Sequence, residues 1–175
     1  MTAHTVKKKD FFMELMNLVP VIGIIMNIDR GEDCCSRMVT LRVGRETVNF
    51  VVTPETVIVD NTQLRRGMRI AAFYDSSLPV PLIFPPQYRA QLIAVLGRDE
   101  QIMLNYFDSS LTAVDDSLRL TVGRTTQIGT INGQDFRCEL GNRVLLVYYT
   151  ATTRSIPPQT TPGRIVVLCG GGYGN

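Results

Sequence analysis

The stretch "IFPPQYRAQLIAVL", residues 83–96, runs a double proline and an amide into an apolar strand, and "SIPPQTTPGRIVVL", residues 155–168, says nearly the same thing again. Laid over each other without a gap, the two agree at six of fourteen positions: both prolines, the glutamine, and Ile93/Ile165, Val95/Val167 and Leu96/Leu168. The likeness extends outward. "GMRIAAFY" (67–74) matches "GNRVLLVY" (141–148) in its glycine, arginine and tyrosine, and "TLRVGR" (40–45) matches "RLTVGR" (119–124). The offset falls from 79 to 74 to 72 along the chain, so the second copy is the shorter. A repeat fixes the unit that must fold, and this one predicts a duplicated chain.

Each copy reads as five strands. In the first, "VIGIIMNID" (21–29) is a nearly continuous apolar strand with Gly23 placed for a bend or bulge. "MVTLRVGRETVNFVV" (38–52) alternates, Val39, Leu41 and Val43 facing one way and Thr40 and Arg42 the other, the period of a half-buried strand. "TVIVD" (56–60), "RIAAFY" (69–74) and "AQLIAVL" (90–96) complete the set. In the second copy the strands are "IMLNYF", "SLRLTVG", "TQIGTI", "RVLLVYY" and "RIVVLC". No intervening segment has the dozen or so residues of helical period that a parallel crossover needs. Five short strands at this spacing predict a small closed barrel. The expected fold is all-β: two tandem duplicated five-stranded OB-like barrels with a short N-terminal helix. That helix spans about Lys8–Leu18, within an extension covering 1–20; the barrels cover 21–98 and 99–170, and 171–175 is a glycine-rich tail. The last two strands of each copy are apolar on both faces, which calls for cover from the sister barrel or from another subunit.

Composition bounds the function. Eighteen basic against sixteen acidic side chains leave a formal charge of +2, too small a field to gather nucleic acid or anionic lipid. Fifteen of the bases are arginines, so a local patch is open to the folded chain. Lys7–Lys9 ahead of "FFMELMNLVPVIGIIMNI" has the outline of a secretory signal, but Glu14, Asn17, Pro20 and Asn27 interrupt the apolar run, which predicts a cytoplasmic protein with no membrane contact. Cys34 and Cys35 are adjacent, and Cys138 and Cys169 stand alone; zinc ligands are usually spaced two to four apart, so these read as reduced thiols without a metal.

With those motifs in place, "FYDSSLPVPLIFPPQY" and "YYTATTRSIPPQTTPGRIVVL" together resemble a group of largely uncharacterised clostridial and related Firmicute proteins built from tandem OB-like β-barrel modules. The resemblance covers roughly residues 20–169. It implies a fold and brings no activity with it. Some members resemble secreted or surface proteins, so an envelope location stays open beside the cytoplasmic one.

Candidate sites follow from the chemistry. The only histidine is His4, outside the expected strands, so histidine-based catalysis inside the fold is not expected, and neither is a cofactor. Asp108, Asp115 and Asp116 read as turn formers, as do Asp29, Glu32 and Asp33. The proline loops join strands four and five, where OB folds commonly hold ligands. They offer Gln87, Tyr88 and Arg89 in the first copy and Thr152, Thr153, Arg154 and Gln159 in the second as ligand-binding residues. The hydroxyls around Arg154 suit an anion or a sugar, while the prolines equally serve to stiffen a long connection. A single-stranded nucleic acid would use Arg42 and Arg45 on strand two, with Arg119 and Arg124 in the other copy. The expectation is a non-enzymatic binding or assembly module with a protein partner or a second copy of itself. Single-strand binding and an enzyme at the barrel junction are the alternatives.

Overall fold

The computed structural model describes residues 14–169, and nearly all of its regular structure is strand. Asn17–Arg98 form one compact unit and the chain from Asp99 onward belongs to another. The expected N-terminal helix falls largely outside the described residues, of which Glu14–Met16 are helical; the tail from 171 lies outside them too.

The N-terminal unit comprises β1 (Leu18–Arg30), β2 (Arg37–Val43), β3 (Glu46–Val52), β4 (Val57–Ile58), β5 (Arg69–Asp75), β6 (Gln87–Arg89) and β7 (Leu92–Leu96), in the sheet order β4-β7-β5-β1-β2-β3-β6. Residues 38–52, expected as one strand, are a hairpin. Val43 pairs with Glu46 across Gly44 and Arg45, and Gly44 takes φ +63°, which glycine adopts without steric cost. The third expected strand shrinks to β4 and a 3-10 turn at Val59–Asn61. Gly23 has a different task from the one expected. The bulge in β1 falls between Ile25 and Asn27, whereas a Cβ on Gly23 would stand 2.7 Å from the Arg42 carbonyl oxygen, so its place is one of close strand approach.

Segment 87–96 organises this unit. β6 runs parallel to β3, and β7 pairs antiparallel with β5 and parallel with β4. Only Ala90 and Gln91 separate the two. Ala90 N donates to Val51 O at 3.0 Å and Gln91 N donates to Phe73 O at 2.8 Å, so one short run of chain serves both sides of the unit. The ladder itself begins at β4 and ends at β6.

The C-terminal unit comprises β8 (Gln101–Phe107), β9 (Arg119–Leu120), β10 (Gln127–Thr130), β11 (Arg143–Tyr149), β12 (Gln159–Thr160) and β13 (Arg164–Leu168). Its sheet runs β10-β13-β11-β8, and β9 pairs with β12 in a separate parallel ladder. Several contacts mirror those of the first unit. Arg119 N donates to Pro158 O as Asn49 N donates to Pro86 O; Gln127 N donates to Gly163 O as Val57 N donates to Gln91 O. Thr126 Oγ1 accepts from Gly123 N and donates to Pro162 O at 2.7 Å, and Thr56 Oγ1 accepts from Thr53 N and donates to Ala90 O at 2.8 Å.

By these bonds two of the sequence matches fall at unlike positions in the two units. Arg119 stands where Asn49 does, on the strand beside the proline segment, so "RLTVGR" corresponds to β3 and not to the "TLRVGR" of β2. Arg119 and Arg124 are therefore not the counterparts of Arg42 and Arg45. The pairing of Val147 with Ile165 and of Ala72 with Ile93 likewise sets β11 one residue out of step with the "GMRIAAFY"/"GNRVLLVY" overlay. Phe73, and not Tyr74, then corresponds to Tyr148.

Each unit has its own core. Ile25, Val39, Leu41, Phe50, Ile70 and Ile93 pack in the first, and Phe107, Leu118, Leu120, Leu145, Val147 and Ile165 in the second. Burying one such side chain fully stabilises the fold by about 1.5–3 kcal/mol. The intervening residues of the late strands, Ala71, Phe73 and Ala94 in one unit and Leu146 and Val166 in the other, are buried as well, in keeping with their two-faced apolar pattern. Among the described residues no helix is long and apolar enough to cross a membrane.

Candidate functional site

A cavity of about 470 Å³ on the N-terminal unit lies against the first proline loop. One wall is the turn between β1 and β2, with Gly31, Glu32, Asp33 and Ser36. Met38 of β2, Val51 of β3 and Thr53 just beyond β3 also line it. Leu78, Pro79, Val80 and Pro81 of the proline loop line it as well, and Tyr74, Asp75, Gln87, Tyr88, Arg89 and Gln91 complete the lining.

Local sequence sets these walls. Asp33 Oδ1 accepts from Cys35 N at 2.9 Å and Gly31 N donates to Ser36 O, folding residues 31–36 into a tight turn. Asp75 Oδ1 accepts from Ser77 N at 2.9 Å and from Ser77 Oγ, so the chain leaves β5 in a turn that carries it into the prolines. Proline φ values are fixed, and four prolines between 79 and 86 stiffen the connection, leaving it little entropy to lose. The peptide bond between Phe84 and Pro85 is cis, as is that between Ile156 and Pro157 in the other unit.

Of the sequence candidates, Gln87, Tyr88 and Arg89 meet at this cavity. Tyr88 is not a free platform: its ring stacks on Tyr74 with centroids 4.1 Å apart and tilts against Phe50 at 5.6 Å. Glu32 and Asp33, read from the sequence only as turn formers, are further candidates here, and Asp75 at the head of the first proline loop joins them. Nothing in the local sequence marks Glu32 and Asp33, because what brings them to the groove is the packing of a turn against a loop more than forty residues away. The lining holds three carboxylates and one guanidinium. Arg89 also acts on Glu55, whose carboxyl is held below its usual range chiefly by the Thr53 hydroxyl, with Arg89 a smaller contributor.

Thr152, Thr153, Arg154 and Gln159 do not line it. Thr153 is spent on its own loop: Oγ1 accepts from Gln159 N at 3.0 Å, Thr153 N donates to Gln159 O at 2.8 Å, and the hydroxyl lies 2.6 Å from that of Ser155. Ser155 Oγ donates in turn to Pro157 O. Thr152 and Arg154 are exposed. The hydroxyls read as ligand groups around Arg154 are thus largely the internal fastening of the loop.

Asp108 and Asp115 of the C-terminal unit are turn groups too. Asp108 Oδ1 accepts from the Ser110 hydroxyl and from the Ser110 and Thr112 amides, and the first of these leads in holding its pKa below the ordinary value. Asp115 Oδ1 accepts from the Ser117 hydroxyl and amide and from Asn105 Nδ2, with the same result. Among the described residues no three His, Cys, Asp or Glu side chains gather as a metal-binding group, and all four cysteines are exposed and unbridged. A shallower depression of about 290 Å³ at Ile28, Asp29, Arg30, Cys34 and Arg37 contains a contact in which Arg30 Nη2 donates to Cys34 Sγ at 3.1 Å.

No family model matches the chain, and neither a curated protein nor a solved structure matches it.

Proposed function

We propose that each unit is an OB-like barrel, that the two descend from one duplicated ancestor, and that the protein is a non-enzymatic binding module whose working surface is the groove beneath the first proline loop. The carrying observation is the position of the cavity. It is bounded by the connection between the first two strands, the face of β2 and β3, and the loop ahead of the last strand, which is where OB folds take their ligands. Its volume falls in the range of small-molecule and peptide sites.

The barrel reading is supported by the pairing sequence β1-β2-β3, then segment 87–96, then β5 and back to β1, with β6 parallel to β3. The duplication is supported by the mirrored bonds around the two proline segments and the two threonines. Phosphate-rich ligands fit the groove poorly, since Glu32, Asp33 and Asp75 would face them with Arg89 alone in favour. That leaves neutral or cationic ligands, and a protein partner, ahead of single-stranded nucleic acid. A cytoplasmic setting is part of the same proposal.

The test is a ligand screen of glycans, peptides and small amines read by amide shifts of the full chain. Binders should move the signals of Gly31, Ser36 and Gln87–Gln91 together. Binders that moved only the 150–159 loop would overturn the assignment of the groove.

A further inference from the structure

We infer that the groove's occupant is an extended segment of a partner protein in which basic side chains alternate with apolar ones. The inference rests on the groove being the ligand site and adds what that ligand is. Three features converge on it.

The charge of the lining runs against that of the chain. A protein of net charge +2 places Glu32, Asp33 and Asp75 around one cavity, opposed there by Arg89. The turn bonds use Oδ1 of Asp33 and of Asp75, and Glu32 is exposed, so carboxylate oxygens remain to meet a cation. The apolar wall does not stop at the rim. Leu78–Pro81 line the groove, and the chain continues directly into Leu82, Ile83 and Phe84, of which Leu82 is 105% and Phe84 94% exposed. Consecutive large side chains held in water on a proline-stiffened loop are an unfilled contact surface, since solitary exposed apolar residues are common but a run of them beside a cavity is not. Finally, the Gln87 and Gln91 side chains border the same space and provide both donors and acceptors suited to a peptide backbone.

Other occupants satisfy only part of this. A free amine would use the carboxylates and ignore Leu82 and Phe84. A sugar would use the amides and acids and likewise leave the apolar ridge in water. An anionic membrane would accept the ridge but be repelled by the acids beside it. A segment carrying lysine or arginine next to leucine or phenylalanine engages both, with the alkyl stem of the cation lying along the loop wall.

The experiment measures fluorescence anisotropy of short labelled peptides with the whole 175-residue chain. One peptide alternates lysine and leucine, a second replaces lysine by glutamate, and a third replaces leucine by serine. The expected result is that the first binds about tenfold more tightly than either of the others, and loses affinity with added salt. Glu32→Gln and, separately, Leu82→Ser and Phe84→Ser should each weaken it several-fold; all three side chains lie at the surface, so circular dichroism of the variants should match that of the parent. Equal binding of the glutamate or serine peptide, or full competition by spermidine, overturns the inference. So does tight peptide binding that none of the three variants alters. Binding of a neutral oligosaccharide that shifts Gly31 and Gln87–Gln91 while no peptide does so leaves the groove as the site and refutes the peptide. Failure of every ligand to reach those residues refutes both.

Discussion

Thr56 and Thr126 each fasten a tight turn to a distant segment of chain with one hydroxyl. The oxygen accepts from a backbone amide three residues earlier and donates to a carbonyl at the start of the unit's last strand segment. Replacing either by valine keeps the shape and strands both backbone groups, so Thr56→Val and Thr126→Val should each cost about 1–3 kcal/mol, read as a lower urea midpoint with unchanged slope. At this scale the sequence disclosed three of the residues that line the proposed groove. The proline loops pointed to Gln87, Tyr88 and Arg89 because ligand loops in small barrels are rich in such groups. They pointed equally to Thr153, where short-range hydrogen bonding to Gln159 and Ser155 had the stronger claim on the hydroxyl. No local pattern distinguishes a hydroxyl that fastens its own loop from one offered to a ligand.

At the scale of the strand, Gly23 sets how near β1 comes to β2. A methyl there would meet the Arg42 carbonyl at 2.7 Å, an atom that cannot turn aside as a side chain could. Gly23→Ala should destabilise the protein by about 1–3 kcal/mol, with amide exchange quickened first along β1 and β2. Alternation in Val39, Leu41 and Val43 was legible and agrees with the buried face of β2. The hairpin was missed: the buried positions are odd-numbered through Leu41 and even-numbered at Val48 and Phe50, a change of parity that a continuous strand cannot make and that the reading of 38–52 as one strand passed over. The one-residue error in matching β5 to β11 has a physical origin. Strands buried on both faces carry no alternation, so tyrosine identity outweighed a register that only the pairing with β7 and β13 defines.

For the molecule as a whole, the predominance of strand was readable because no stretch between the strand patterns carried a helical period. The pairing order was not, since β6 is three residues long and its partner lies nearly forty positions earlier. The acid response belongs to this scale. Asp108, Asp115 and Glu55 all have carboxyls held below their ordinary values by hydroxyl and amide donors, foremost Ser110, Ser117 and Thr53 in turn. A carboxyl with a lower pKa folded than unfolded stabilises the fold fully above its unfolded value and ceases to as pH falls through the folded one. Stability should therefore hold down to the ordinary carboxylate range and decline below the usual aspartate value of 3.8, and Asp115→Asn should make that decline shallower in urea titrations at successive pH values. Segment 87–96 has a consequence for the making of the protein. β3 ends at Val52 and β7 at Leu96, so at ~5–20 residues per second a chain growing on the ribosome waits roughly 2–9 s between completing its first three strands and receiving the piece that joins their flanks. For that interval the nascent N-terminal half exposes unpaired strand edges, and a chaperone that shields them would act on synthesis before it could act on anything folded.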